Sequence, residues 1–171
     1  IWAESLGKKY DKLGNEVYTG QTPVKALGAT DQHSQLQLYS EGPKDKVITF
    51  IGVDNYNSSL KIPAIYENEE SISFLGGKTQ EKLIDVERFS TEYALVKADK
   101  INMTISLPQI NEYYVGALLM LFELATAYTG ELLNIDTFNQ PGVEESKHAA
   151  YAMFGKKGYD QKRDELMLAP I

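Results

Sequence analysis

The chain has no cysteine in 171 residues, which removes disulfides, thiolate chemistry and cysteine-ligated zinc or iron–sulfur centres and leaves its redox compartment unmarked. Histidine is scarce: His33 and His148 are the only two, too few for a multi-histidine metal site. Positive charge is in deficit, with 17 Lys and Arg against 24 Asp and Glu and a formal charge of −7. A chain without clustered cations has no electrostatic grip on a phosphate backbone, so nucleic acid is not an expected partner. Long apolar runs are missing too. The longest, 115–125, is interrupted by Glu123 and falls short of the roughly 20 residues that cross a bilayer. No basic stretch followed by an apolar one opens the chain, so the expectation is a soluble, cytoplasmic protein with no membrane partner. What is present, 43% hydrophobic and 24% charged residues, is the composition of an ordinary globular domain.

The first residue is not Met, and Trp2, Leu6 and Tyr10 recur every four residues, so the chain reads as a helical start inside something longer. Turn residues at Gly14-Asn15 and Thr19-Gly20-Gln21 predict a loop over 10–22. Thr22-Pro23 predicts a short helix to about Leu27, and Thr30 predicts the cap of another reaching Tyr39, stopped by Gly42-Pro43. The β-branched run 47–53 (VITFIGV), apolar on both faces, predicts a strand of a parallel or mixed sheet. Weaker strand signals lie at 62–66 and 71–75. Thr79 should cap a long helix with Leu83, Val86, Phe89, Tyr93 and Leu95 on its apolar side. Ile101, Met103 and Ile105 alternate as in a strand up to Pro108. A strongly apolar helix should then run to Tyr128, end at Gly130 and lie in the core. A last long helix is expected from about Gly142 to Gly155, with a short one over 160–168. Strands mixed with long helices and no internal repeat predict an α/β fold, a layered sandwich with a parallel or mixed sheet flanked by helices.

In the 142–155 helix, Val143, Lys147, Ala150, Tyr151 and Phe154 share one face, which places an ammonium in an apolar stripe. Two readings stay open: a stem that packs while its head reaches water, or a partly desolvated lysine that donates a proton or holds an anion. The polar loop before this helix, Asp136 to Gly142, leads into a helix N-terminus, where backbone N–H groups favour negative ligand atoms. His33 is expected in a first helical turn, where the dipole disfavours imidazolium; it reads either as a neutral acid–base group or as a capping residue. Glu4 carries no information by itself, and His148, among charges, is expected to face solvent.

Taken together, these residues lie in three segments that resemble one family. The stretch GELLNIDTFNQPGVEESK (130–147) resembles the C-terminal signature of the phosphoglucose isomerase family: an aromatic, Asp or Asn, Gln, any residue, Gly-Val-Glu, two residues, Lys. GQTPVKALGATDQHSQLQL (20–38) is similar to that family's histidine-bearing segment in its bacterial form, and AESLGK (3–8) to the stretch around its glutamate. The three occur in the family's order and span nearly the whole chain.

The resemblance implies an aldose–ketose isomerase that interconverts glucose 6-phosphate and fructose 6-phosphate through an enediol or enediolate. It implies Glu4 as the base that carries a proton between C1 and C2, His33 and Lys147 as the pair that moves protons during ring opening, and Gln140 as a substrate contact. Those residue types suit those tasks. No metal or organic cofactor is implied. The family's phosphate-binding Ser/Thr cluster and its Gly-Gly-Arg segment belong upstream and are absent from these 171 residues. The expectation is therefore that residues 1–171 form the C-terminal sugar-isomerase-type (SIS-like) domain of a longer enzyme, inactive without its N-terminal part. A homodimer is also implied, since the family's histidine reaches the neighbouring subunit's site. Alternative readings are a non-catalytic sugar-phosphate-binding regulatory module and the isomerase end of a transaldolase–isomerase fusion.

Overall fold

The computed structural model describes residues 1–169. In chain order the elements are α1 (Trp2–Leu6), β1 (Lys8–Tyr10), β2 (Glu16–Thr19), α2 (Thr30–Ser34), α3 (Leu36–Glu41), β3 (Ile48–Asn55), α4 (Gln80–Lys97), β4 (Asn102–Gln109), α5 (Glu112–Leu132), α6 (Pro141–Met153) and α7 (Asp160–Met167). They fall into two compact units, Val24–Leu119 and Ile1–Pro23 with Met120–Ile171. The fold is α/β, with a parallel strand pair accompanied by helices, as the sequence predicts.

In the unit Val24–Leu119, β3 and β4 pair in parallel, with Ile48 opposite Asn102 and Asn55 opposite Gln109. Parallel strands cannot be joined by a tight turn, and α4 is the crossover element between them. The expected cap is in place: Thr79 accepts from the backbone N–H of Lys82 at 3.3 Å. Replacing Thr79 by Ala leaves that donor unmatched, and a loss of about 1 kcal/mol in chemical denaturation is the expected result.

The covered side of α4 is not the expected stripe. Thr91 and Leu95 are buried, while Val86, Phe89 and Tyr93 are exposed. A polar pair explains the difference: Arg88 bonds Glu92 at 2.5 Å, and Glu92 accepts from the Thr104 hydroxyl of β4 at 2.8 Å. A Cβ at Gly52 would come within 3.0 Å of Arg88 Nε, so it is the missing side chain in β3 that lets this arginine lie so close to the sheet. The weak strand signals at 62–66 and 71–75 are not strands. The first is coil and the second ends in a 3₁₀ turn, Ser73–Leu75, tethered near a single bridge between Lys61 and Thr79. The helix expected over 22–27 is also coil, and every residue in it is exposed; with nothing buried, the cost of helix nucleation goes unmet. The helix expected from Thr30 to Tyr39 is two short ones, broken at Gln35, and Ala29 rather than Thr30 stands at the cap position.

In the other unit, the helical start stops at Leu6 and Tyr10 lies in a strand; β1 and β2 form an antiparallel hairpin where a loop was expected. Asp11 builds its turn, accepting from the N–H groups of Leu13 and Asn15 at 2.9 and 2.8 Å. The buried residues here are Leu6, Lys8, Thr126, Gly130, Ile135, Thr137 and Ala152. Gly130 does not end α5, which runs on to Leu132; Asn134, with φ of 55°, takes the left-handed position instead.

The expectation that α5 lies in the core is not met. Thr126 and Gly130 are its buried residues, and Leu119, Met120, Leu121, Leu124 and Leu132 are exposed. By length and composition, this 21-residue helix is long and apolar enough to cross a membrane, although the run within it was expected to be too short. One such helix is weak evidence of a span, and the ionisable Glu123 sits near its middle.

Candidate functional site

Three of the four candidate residues belong to the unit formed by Ile1–Pro23 and Met120–Ile171. Glu4 lies on α1, and its Oε1 accepts a hydrogen bond from Gln140 Nε2, across 136 positions of sequence. Two segments thus meet at a carboxylate and a carboxamide, both of which face solvent.

A five-residue helix such as α1 is too short to hold itself, so its last carbonyls decide whether it stands. Leu6 O accepts from the Thr19 hydroxyl at 3.1 Å, and Ser5 O accepts from Lys8 Nζ at 2.7 Å. Gly7 and Gly20 meet at this corner: Gly20 has φ of 111°, and a Cβ on it would come within 2.9 Å of Gly7 Cα.

The loop that carries Gln140 is built by Asp136, which accepts from the Phe138 N–H at 3.0 Å and from Asn139 Nδ2 at 2.7 Å. Gln140 occupies the cap position of α6 without capping it and turns its amide N–H to Glu4, and Pro141 opens the helix. Neither the Asp136 turn nor the buried Lys8 was expected from spacing. Lys8 lies inside the AESLGK stretch, but nothing in that stretch distinguishes a buried lysine from a solvated one.

Lys147 follows two turns into α6. It was expected in a covered stripe, but Val143, Tyr151 and Phe154 are exposed and so is Lys147. It pairs with Glu144 at 2.7 Å, and that carboxylate raises its pKa above the ordinary lysine value. Of the two readings, the desolvated lysine is not what the structure has. It has a firmly protonated ammonium, suited to holding an anionic group or supplying a proton. The covered side of α6 is instead marked by Ala152 and half-buried His148, against whose ring Tyr159 stands at 5.6 Å; a bridge from Lys162, on α7, to Glu145 accompanies this contact. His148 does not simply face solvent.

Lys147 in turn lowers the pKa of Glu144. A depressed carboxylate contributes stability that is complete above the ordinary carboxylate range and is lost as pH falls through the lowered value. A carbon-detected NMR titration should therefore find Glu144 titrating low, and Lys147→Met should move its midpoint back up.

His33 belongs to the unit Val24–Leu119. It is exposed, in the last turn of α2 rather than the first turn of a longer helix. Asp31 orders this turn, accepting from the Leu27 N–H at 2.6 Å and from Ser34 Oγ at 3.0 Å, and its pKa is lowered chiefly by the first bond. Gln32 anchors it: Nε2 donates to Glu87 O at 2.9 Å and to Thr91 Oγ1 at 2.5 Å, beside an open cavity of about 390 Å³ that His33 also lines. The structure brings Glu4 and Gln140 together, with Lys147 on the helix that Gln140 opens. Among the described residues, no three His, Asp or Glu side chains are grouped to hold a metal.

An α/β scaffold that presents a carboxylate gripped by a carboxamide, with a paired lysine on the adjoining helix, has the parts of a proton-transfer site. The family profile described as phosphoglucose isomerase matches residues 2–165. The chain belongs to the phosphoglucose isomerase family. A glucose-6-phosphate isomerase of Carboxydothermus hydrogenoformans is 49% identical over 98% of this chain and 36% of its own length. One of Rubrobacter xylanophilus is 42% identical over 93% of this chain and 35% of its own length. Among solved structures, a hypothetical protein of Thermus thermophilus matches with a TM-score of 0.83 at 36% identity, over 90% of this chain and 36% of that one. The chain spans about a third of the length of the curated relatives it matches.

Proposed function

We propose that the protein carrying this chain is an aldose–ketose isomerase that interconverts glucose 6-phosphate and fructose 6-phosphate through an enediol or enediolate, a step of glycolysis and gluconeogenesis. The observation that carries this reading is the Glu4–Gln140 hydrogen bond between two of the three family-like segments. Isomerisation needs one base that takes a proton from one carbon and returns it to its neighbour, and an exposed carboxylate aimed by a fixed amide suits that task. Glu4 is that base. Gln140 orients it and contacts the sugar, while Lys147, with His33, exchanges protons at the ring and anomeric oxygens as the ring opens. No cofactor takes part.

Residues 1–171 act as a C-terminal sugar-isomerase-type domain whose phosphate clamp lies in the N-terminal part of the same enzyme. The working form is a cytoplasmic homodimer to which His33 is contributed from the neighbouring subunit. The exposed apolar side chains of α5 and of α6 support a chain that is covered in its assembled form.

The test is a coupled assay with fructose 6-phosphate. The full-length protein should turn over at about 1 to 10³ per second, and residues 1–171 alone should be inactive. No turnover by the full-length protein, with sugar phosphate still bound, would leave the regulatory-module reading in its place.

A further inference from the structure

One buried charge has no part in the proton-transfer scheme. Lys8 is 6% exposed, and its Nζ donates to Ser5 O at 2.7 Å and to Asn139 O at 2.8 Å. Among the described residues it makes no ion pair. An ammonium withdrawn from water is tolerated only where its donors are satisfied, so its two carbonyl partners are fixed in place along with it.

Ser5 follows Glu4, and Asn139 precedes Gln140. The ammonium therefore bridges the two backbone positions that flank the Glu4–Gln140 bond, which otherwise joins two exposed side chains from separate segments. A methionine would fill the same space and offer the carbonyls nothing. An arginine would present a planar fork in place of the tetrahedral donors that reach two carbonyls from one point.

We propose that Lys8 is a positioning residue for the isomerisation, whose ammonium clamps the Ser5 and Asn139 carbonyls and so holds Glu4 and Gln140 in register. The proposal rests on the isomerase reading of Glu4.

The experiment uses the full-length enzyme with Lys8→Met, Lys8→Arg and Lys8→Cys, the last before and after alkylation with 2-bromoethylamine, which rebuilds an ammonium of lysine length. Alkylation is carried out in denaturant and followed by refolding, with incorporation confirmed by mass. Parent enzyme treated with the same reagent is the control. For Lys8→Met the expected result is a kcat about 10- to 100-fold lower per folded molecule, the scale set by a reacting group misplaced by about an ångström, with KM within about threefold. Aminoethylation of Lys8→Cys should restore most of kcat. If Lys8→Met does not fold, Lys8→Arg, which keeps the charge, should fold and still show the lowered kcat.

A purely structural lysine would instead lower the melting temperature while kcat per folded molecule stayed at the parent value in the methionine and arginine variants. That result, or a loss of kcat that the rebuilt ammonium does not recover, overturns the proposal. The controls separate this from failure of the underlying reading: if the parent does not isomerise, or Glu4→Gln isomerises normally, the assignment of Glu4 has failed and the Lys8 proposal falls with it.

Discussion

Replacing Glu4 by glutamine lowers kcat of the full-length enzyme by about 10²–10⁴-fold, the range that a positioned general base contributes, and leaves the protein folded. The introduced carboxamide keeps the length of the side chain and still offers an oxygen to Gln140 Nε2, so the contact between α1 and the loop before α6 can survive. Because Glu4 is exposed, the change in stability should stay within about 0.5 kcal/mol. What is lost is the lone pair that takes the proton. Sugar phosphate should bind with little change, since a group that acts in the transition state contributes little to ground-state affinity. Measured kcat, KM and melting temperature for the single variant check all three parts.

Gly130→Ala should destabilise the protein, and helix propensity predicts the sign of this effect wrongly. In the last turn of α5, exchanging Gly for Ala should by propensity gain up to about 1 kcal/mol. The structure opposes this: a Cβ at position 130 would lie 1.7 Å from Thr137 Oγ1 and 2.9 Å from Thr137 Cβ, and Thr137 is buried. Overpacking of this kind costs about 1–3 kcal/mol and at times more. The clash should therefore win, and the variant should unfold at lower denaturant. Activity should fall as well, because Thr137 belongs to the loop that aims Gln140 at Glu4. Adding Thr137→Ala removes the nearest atom but not the Cβ contact at 2.9 Å, so partial recovery is the expected result.

Much of this was legible in the sequence, for reasons particular residues make plain. The run 47–53 and the alternation at 101–105 gave parallel partners because β-branched and apolar residues admit few other structures at that length. Thr79 signalled its helix because its hydroxyl has one evident use, on the Lys82 N–H. Position 130 misled: glycine there reads as a helix end, whereas it serves to admit Thr137. Apolar periodicity also misled in α4, α5 and α6. It reports which faces some surface will cover, and within the described residues the cover on α4 is set by the Arg88–Glu92 pair, while much of α5 and the Lys147 stripe stay open. At the site, residue types were legible and contacts were not. No spacing rule brings Glu4 to Gln140 or withdraws Lys8 from water, because both depend on segments more than 130 positions apart.

On the proposed mechanism Glu4 carries a proton between adjacent carbons of a sugar phosphate. Its most direct test is to convert fructose 6-phosphate in deuterated water with the full-length enzyme and with Glu4→Gln, and to read the label at C2 of the glucose 6-phosphate formed. Deuterium should enter C2 with the parent enzyme to the extent that the proton held by the Glu4 carboxyl exchanges with solvent before its return, and both turnover and exchange should fall about 10²–10⁴-fold in the variant. Isomerisation or exchange that continues at the parent rate without the Glu4 carboxylate would contradict the mechanism.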